Sequence, residues 1–480
     1  MRRCPARGER LIWAVVSDSG IDLRSYVSAE DARERGRAAS KRVPVTERDR
    51  AAASPDRPTV REFIDISNRG RIERLVPLRI GRMIASPFTF FRGAAGLMAA
   101  DLAAGPDSGL AAQICGDAHA ANFGLYGTQR GEIVMDINDF DETVMGPWEW
   151  DLERLAASLV LAGRESGVDE DDCLRAARDA ARSYRHTVAD LADMPFMQSW
   201  TALPDESILT SAKAEDLLDD FKKAAKKARK NTSAKVVAKW TEHLDDHETD
   251  IRKHRFVSDP PVLTAVERPV SEAVIDGLQR YAGTIRESRR NLLARFAVSD
   301  VAFRIVGTGS VGLHSYVALL HGNDGEAVVL QVKQARPSAL APFLPPAEPR
   351  HEGERIVVGA RSVQSETDIL LGWTTIELDE SLPFIVRQFR NLKGSIDPAA
   401  LSADDLDDYG RLAGALLARA HARSLDPRAL AGYLETDDDD DDRFEDSVAG
   451  FAVRYADRTE ADHAELVAAV ADGTIAAEQD

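Results

Sequence analysis

With 480 residues, 44% of them hydrophobic and 29% charged, the chain is long enough for two or three domains and is neither collagen-like nor wholly disordered. Its 80 acidic against 61 basic side chains leave a net charge of −19, which argues against a nucleic-acid partner gripped along its backbone but allows a local basic pocket. Three scattered cysteines exclude a disulfide framework and point to a reducing cytoplasm, and no uncharged apolar run approaches the roughly 18 residues of a membrane span.

Residues 1–57 predict a loosely ordered lead-in with one helix near 26–40 and a Pro-punctuated linker. From Thr59 the stretch ending in SPFTFFRGAAGLMAADLAA predicts two or three helices broken by Gly70, Pro77 and Pro87. Within it Arg92 follows an aromatic run in a glycine-bounded turn, where a guanidinium fork suits phosphate or carboxylate. A strand, the polar turn CGDAHAAN, two short strands and a helix follow. In the second short strand Ile133, Met135 and Ile137 alternate with Val134, Asp136 and Asn138 before the acidic turn DINDFD.

Helices are predicted at 169–192, 210–230, 233–248 and 270–296, so 58–298 reads as a helix-rich lobe. The basic island from Lys222 to Lys239 is either an exposed helix face or a dock for an anionic ligand. At Ser299 the pattern changes to strand, glycine turn, strand, Asn-Asp-Gly hairpin and strand. A Pro-rich loop, a helix near 352–372 and a strand at 384–389 complete a second lobe over 299–400. A helix at 403–423 and a helix pair over 444–473 return the chain to the first lobe, with the six aspartates 437–442 as a solvated acidic loop.

Two groups of residues carry chemistry. Asp117 and Asn122 lie five apart on a polar turn, and Asp139 and Asp141 follow at the end of a strand. Phosphoryl transfer needs a carboxylate to orient the acceptor, oxygens for a divalent metal, and positive charge on the phosphates. Asp117 meets the first need, and Asn122, Asp139 and Asp141 the second, since magnesium takes hard oxygen ligands and keeps several waters. His119 is placed to orient Asp117 or to contact phosphate. In the second half Gly307, Gly309 and Gly312 form G-x-G-x-x-G between two strands, whereas a dinucleotide fingerprint opens into a helix. Lys333 sits in an apolar strand, which is costly unless its charge is paired, and Arg387 lies on a later strand as a rim residue near the same ligand.

GDAHAANFG and INDFDE resemble the G-D-x-H-x-x-N and D-F-D/G elements of the aminoglycoside phosphotransferase branch of the protein-kinase-like superfamily. More closely, LVPLRIGRMIASPFTFFRGAA, CGDAHAANFG, DINDFDETVMGPWEWDLERLAAS, VGTGSVG and FAVRYADRTEADH resemble the bacterial DUF2252 family, and the likeness runs through most of the chain. The phosphotransferase resemblance implies an α+β, two-lobed fold with Asp117 as base and Asn122 and Asp139 on magnesium. It puts Gly307, Thr308, Gly309, Ser310, Gly312 and Lys333 on the phosphates of ATP. It pairs Lys333 with Glu366 (Glu354 as the weaker choice), makes FIVRQFRNLKG the hinge that meets adenine, and gives Asp151 the place of a further aspartate entering a helix. In a conventional kinase the glycine loop and lysine come first; here Asp117 and Asp139 precede them, and RLAGALLARAHARS, which resembles the helix leading into the catalytic loop, lies at 411–424. The resemblance therefore implies circular permutation, which near-lying surface termini permit.

The expected activity is a magnesium- and ATP-dependent transfer to a small-molecule or protein hydroxyl, with no nucleic-acid or membrane partner. The alternatives are nucleotidyl transfer to protein, a nucleotide-binding protein without turnover, and a phosphoesterase with metal on Asp117, His119, Asp136, Asp139 and Asp141.

Overall fold

The structure, a computed structural model, describes residues 26–44, 46, 57–201, 207–243, 254–305, 307–323, 326–347, 349–435 and 442–478. Most of the predicted lead-in, the tip of the Asn-Asp-Gly hairpin and five of the six consecutive aspartates lie outside them. Within the lead-in α1 (Ala29–Arg42) starts on Ser28, whose hydroxyl accepts from the Asp31 amide. The stretch after Thr59 forms four short helices, α2 (Val60–Asn68), α3 (Val76–Met83), α4 (Pro87–Arg92) and α5 (Ala95–Leu102). Pro77 and Pro87 open helices here, because a first-turn proline forfeits no hydrogen bond.

Two antiparallel ribbons follow. β1 (Ala111–Ile114) pairs with β4 (Val144–Pro147), and β2 (Phe123–Gly127) pairs with β3 (Ile133–Ile137). They lead into α6 (Trp148–Ser166) and α7 (Glu170–Asp193). With α15, α16 and α17 (Ala403–His421, Pro427–Leu434 and Arg443–Ala471) these build the helical lobe around one large apolar core that includes Leu155, Leu159, Tyr184, Leu412, Leu416 and Phe451. The predicted helix pair over 444–473 is the single helix α17. Its interior has no proline, and Gly450 alone does not stop it.

The segment between the lobes carries α8 (Phe196–Thr201), α9 (Ser207–Ser211), α10 (Leu218–Ala228) and α11 (Ser233–Trp240), then β5 (Thr241–His243) and β6 (His254–Phe256). α10 buries Phe221, Ala224, Ala225 and Ala228, which leaves the lysines of the basic island on its exposed face. The predicted helix over 270–296 divides into α12 (Arg268–Tyr281) and α13 (Glu287–Leu293), with Gly283 in the break.

The second lobe is one antiparallel sheet of six strands. In chain order these are β7 (Leu263–Ala265), β8 (Ala297–Arg304), β9 (Ser315–His321), β10 (Ala327–Gln334), β11 (Gly372–Glu377) and β12 (Ser381–Gln388); in space the order is β11-β12-β10-β9-β8-β7. Strand pairing thus begins at Leu263, before the predicted change at Ser299. The helix predicted near 352–372 ends early, as α14 (Glu352–Val363), and beyond its predicted end β-branched Thr374, Thr375 and Ile376 form an additional strand, β11. One face of the sheet buries Val301, Tyr316, Leu330, Val332 and Val386 under α12. Along β10 the alternate residues Val329, Gln331 and Lys333 point to the other face. Among the described residues no helix is long and apolar enough to cross a membrane, and Cys115 and Cys173 are buried free thiols.

Candidate active site

Asp117 lies on the turn after β1. Gly116 has φ +77°, and a Cβ there would stand 2.4 Å from the Glu142 carbonyl oxygen, so only glycine lets this turn lie against the acidic one. The turn is fixed from α6: the Asp151 carboxylate accepts from the Cys115 and Gly116 amides at 2.8 and 3.0 Å, and Ser158 Oγ accepts from the Ala120 amide at 2.8 Å. From α15 the Tyr409 hydroxyl donates to the Ala120 carbonyl at 2.7 Å. His421 stands 3.4 Å from Asp151 and 2.8 Å from the Tyr184 hydroxyl, behind the turn.

The Asp117 carboxylate has two unlike oxygens. Oδ1 accepts from Arg154 Nε at 2.6 Å, while Oδ2 lies 3.8 Å from His119 Nε2. Arg154 is held in turn by the Phe91 carbonyl at 2.8 Å and by the Phe91 ring, 4.2 Å from its guanidinium carbon. Burial raises the Asp117 pKa against the pull of Arg154. Burial, and then the charges of Arg92 and Arg154, hold His119 well below the ordinary histidine range, so its ring is neutral.

Asn122 joins this turn to the acidic one. Its Oδ1 accepts from the Asp139 amide at 2.7 Å, and its Nδ2 donates to the Asp117 and Asp139 carbonyls at 3.0 and 3.1 Å. Arg355 of α14 braces the far side through the Asp141 and Thr143 carbonyls. Lys333 of β10 meets the carboxylates of this turn, with Nζ 2.5 Å from Asp141 Oδ2 and 3.7 Å from Asp139 Oδ2. The predicted partner Glu366 is not brought there. It lies beyond the end of α14, and its carbonyl accepts from the Tyr126 hydroxyl.

Burial pushes Asp139 upward, but Lys333, Arg387, the Asp141 amide and Lys393 together hold it at about 2. Asp141 moves the other way, raised by burial and by its neighbour Asp139. Arg387, opposite Gln331 in the β12–β10 register, donates to Gln331 Oε1 at 3.0 Å and to the Asn138 carbonyl at 3.2 Å.

The glycine turn closes the site from the sheet side. Gly312 has φ +86°, and Arg71 grips the turn by donating to the Gly309 and Val311 carbonyls at 2.9 and 2.5 Å. A Cβ at Gly307 or Gly309 would meet nothing within 4 Å, and neither has a positive φ. Their own chain therefore does not require glycine, and the space above them is open. Thr308 and Ser310 complete the one-turn helix at this point. In the predicted hinge the amides of Phe389, Leu392 and Gly394 donate to Val329, Asn231 and Leu125, so they are engaged within the protein.

A cavity of about 590 Å³ joins these parts, a size suited to a nucleotide-sized ligand. Asp117, His119, Asn122, Asp139 and Asp141 line it together with Gly307, Gly309, Ser310, Lys333 and Arg387. The wall carries Arg71, Arg79, Arg92, Lys333, Arg336, Arg387 and Lys393 against Asp117, Asp139, Asp141 and Glu142, an excess of positive charge in an acidic chain. Burial, and then Arg387, push Lys393 down to about 7.

Asp136 lines a separate small cavity with Trp200, Arg419 and Arg423, so the five-residue metal cluster is not assembled. Among the described residues no three His, Cys, Asp or Glu side chains could hold a metal. Two carboxylates suffice for magnesium that keeps its waters, and Asp141 Oδ1 is buried without a hydrogen-bond partner. Asp139 and Asp141 therefore fit such an ion, with Asn122 behind them.

Sequence reasoning missed Arg154, Arg71, Arg336, Arg355 and Lys393. Only Arg154 left a local signal: Asp151, Arg154 and Ser158 share one face of a largely buried helix at spacings of three and four. A family model described as an uncharacterized protein conserved in bacteria (DUF2252) matches residues 71–469. No curated protein and no solved structure matches.

Proposed function

The chain belongs to the DUF2252 family, and from its site we propose an ATP-dependent phosphotransferase acting on a hydroxyl, on a protein-kinase-like arrangement whose sequence order is circularly permuted. The observation that carries this reading is the meeting of Lys333, from the second half of the chain, with Asp139 and Asp141, from the first, in a cavity also lined by the glycine turn. Permutation draws support from the end of α15. Ser424, just past that helix, accepts from the Gln113 amide of β1 at 2.7 Å, so the helix delivers the chain to where the catalytic segment begins.

In this reading the triphosphate lies under the open glycines, against Lys333 and Arg387. The acceptor hydroxyl stands beside Asp117 Oδ2, the oxygen that Arg154 leaves unoccupied. The hydroxyl oxygen bonds to the terminal phosphorus, the bond to the bridging oxygen breaks with its electron pair leaving on ADP, and the proton passes to Asp117. Burial raises the affinity of this carboxylate for a proton, as a base near neutral pH requires. Asp139 and Asp141 would hold magnesium, which neutralises charge on the phosphates.

Calorimetric titration with ATP, with and without magnesium, tests the reading on the wild type, Lys333→Ala and Asp139→Ala. Magnesium-dependent binding that both substitutions weaken at least tenfold is expected. If ATP does not bind the wild type in either condition, the reading fails.

A further inference from the structure

Arg92, the last residue of α4, lines the cavity and makes no hydrogen bond or ion pair among the described residues; its Nε is buried without a partner. The neighbouring cations on that wall are satisfied only by neutral groups. Arg79, 1% exposed, donates to Ser67 Oγ, Asn68 Oδ1 and the Gly93 carbonyl, and its Nε too is unpartnered. Arg71 and Arg336 donate to backbone carbonyls. Arg79 is thus a fully buried guanidinium bonded to no carboxylate, beside a half-buried Arg92 with no bonded partner; such charge is costly, and a bound anion relieves that cost.

The cations of the cavity also divide by position. Lys333 faces Asp139 and Asp141, whereas Arg92 follows directly on Phe91, whose carbonyl holds the Arg154 that grips Asp117, and its charge acts on Asp117 and His119. Arg92 therefore stands at the end where the acceptor meets the base, away from the end assigned to the triphosphate. His119 adds a neutral ring there, with a buried Nδ1 that has no partner.

The geometry points to an acceptor that is itself anionic: a small molecule carrying a phosphate monoester or a carboxylate, bound through that group to Arg92 while its hydroxyl faces Asp117. The role of the hydroxyl rests on the phosphotransferase reading; the anion subsite does not.

Ligand-observed NMR titrations with inorganic phosphate and with acetate test the subsite on the wild type, Arg92→Gln and Arg92→Lys, each checked for an unchanged thermal midpoint. One of the two anions should bind the wild type, lose about 10- to 100-fold in affinity in Arg92→Gln, and recover part of it in Arg92→Lys. Tighter phosphate identifies a phosphate monoester acceptor, and tighter acetate a carboxylate. Saturating ATP should leave the anion bound. Equal binding to wild type and Arg92→Gln, or complete displacement by ATP, overturns the subsite. Should Arg92→Gln fail to fold, the competition with ATP on the wild type decides alone. Absence of ATP binding with anion binding intact would sink the phosphotransferase reading and leave the subsite standing.

Discussion

Lys333 is 3% exposed on a strand of valines and leucines, and its ammonium is tolerated because Asp141 and Asp139 face it. The same contact makes Asp139 a stability group with a defined sign. Its folded pKa, about 2, lies below the unfolded value near 3.9, so its contribution is present above pH 4 and lost as pH falls towards 2. Lys333→Met should flatten that acid limb in urea unfolding at pH 2–5. Glu366→Ala should leave ATP affinity unchanged, because the carboxylate expected to pair with Lys333 lies beyond α14. The lysine was legible as a charge that needed a partner. The identity of the partner was not, because it comes from a segment nearly two hundred residues earlier. Lys393 adds a second titration. With a folded pKa of about 7 among Arg387, Lys333, Asp368 and Asp139, it is neutral above pH 8 and charged below pH 6. ATP should bind more tightly as pH falls through that window, by up to about tenfold. Lys393→Met should lose that part of the slope, and equal slopes in the two proteins would exclude Lys393.

At the scale of elements, one helix face organises the catalytic turn. Asp151, Arg154 and Ser158 of α6 hold two amides, the Asp117 carboxylate and a third amide. Asp151→Asn keeps one acceptor oxygen but loses the charge that strengthens both amide bonds, at a cost of about 1–3 kcal/mol in unfolding free energy. Turnover should fall further than ATP affinity, since this turn orients the base and not the nucleotide; a matched fall in both would refute that division. The glycine turn depends in the same way on Arg71, whose guanidinium spans two of its carbonyls. Element types were legible wherever periodicity was strong, as in α7, α15 and the strands β8 to β10. The breaks were less so: α17 runs past a tolerated glycine, the helix expected to 372 stops at Val363, and β11 went unread because a short β-branched run carries little pattern of its own.

At the scale of the whole molecule, the site exists only where the helical lobe and the sheet meet. Neither holds both the acidic turn and Lys333, and α2 to α5 add a third wall through Arg71, Arg79 and Arg92. The two chemical groups and Arg92 were visible in sequence, but Arg71 and Arg79 were not, because arginines held by backbone carbonyls and neutral side chains leave no spacing rule to read. A ligand spanning this junction stabilises everything that contacts it. Hydrogen exchange with and without magnesium and ATP should therefore show protection gained together at 115–122, 136–142, 307–312 and 331–334, although the first two stretches lie far from the last two in sequence. The distal helix α1, which packs on α16 away from the cavity, should be unchanged. Protection confined to 307–334 would mean that the sheet binds nucleotide by itself and that Asp117 does not face it. Protection at all four stretches would make the lobe junction the working unit, with the acceptor approaching from the side of Arg92.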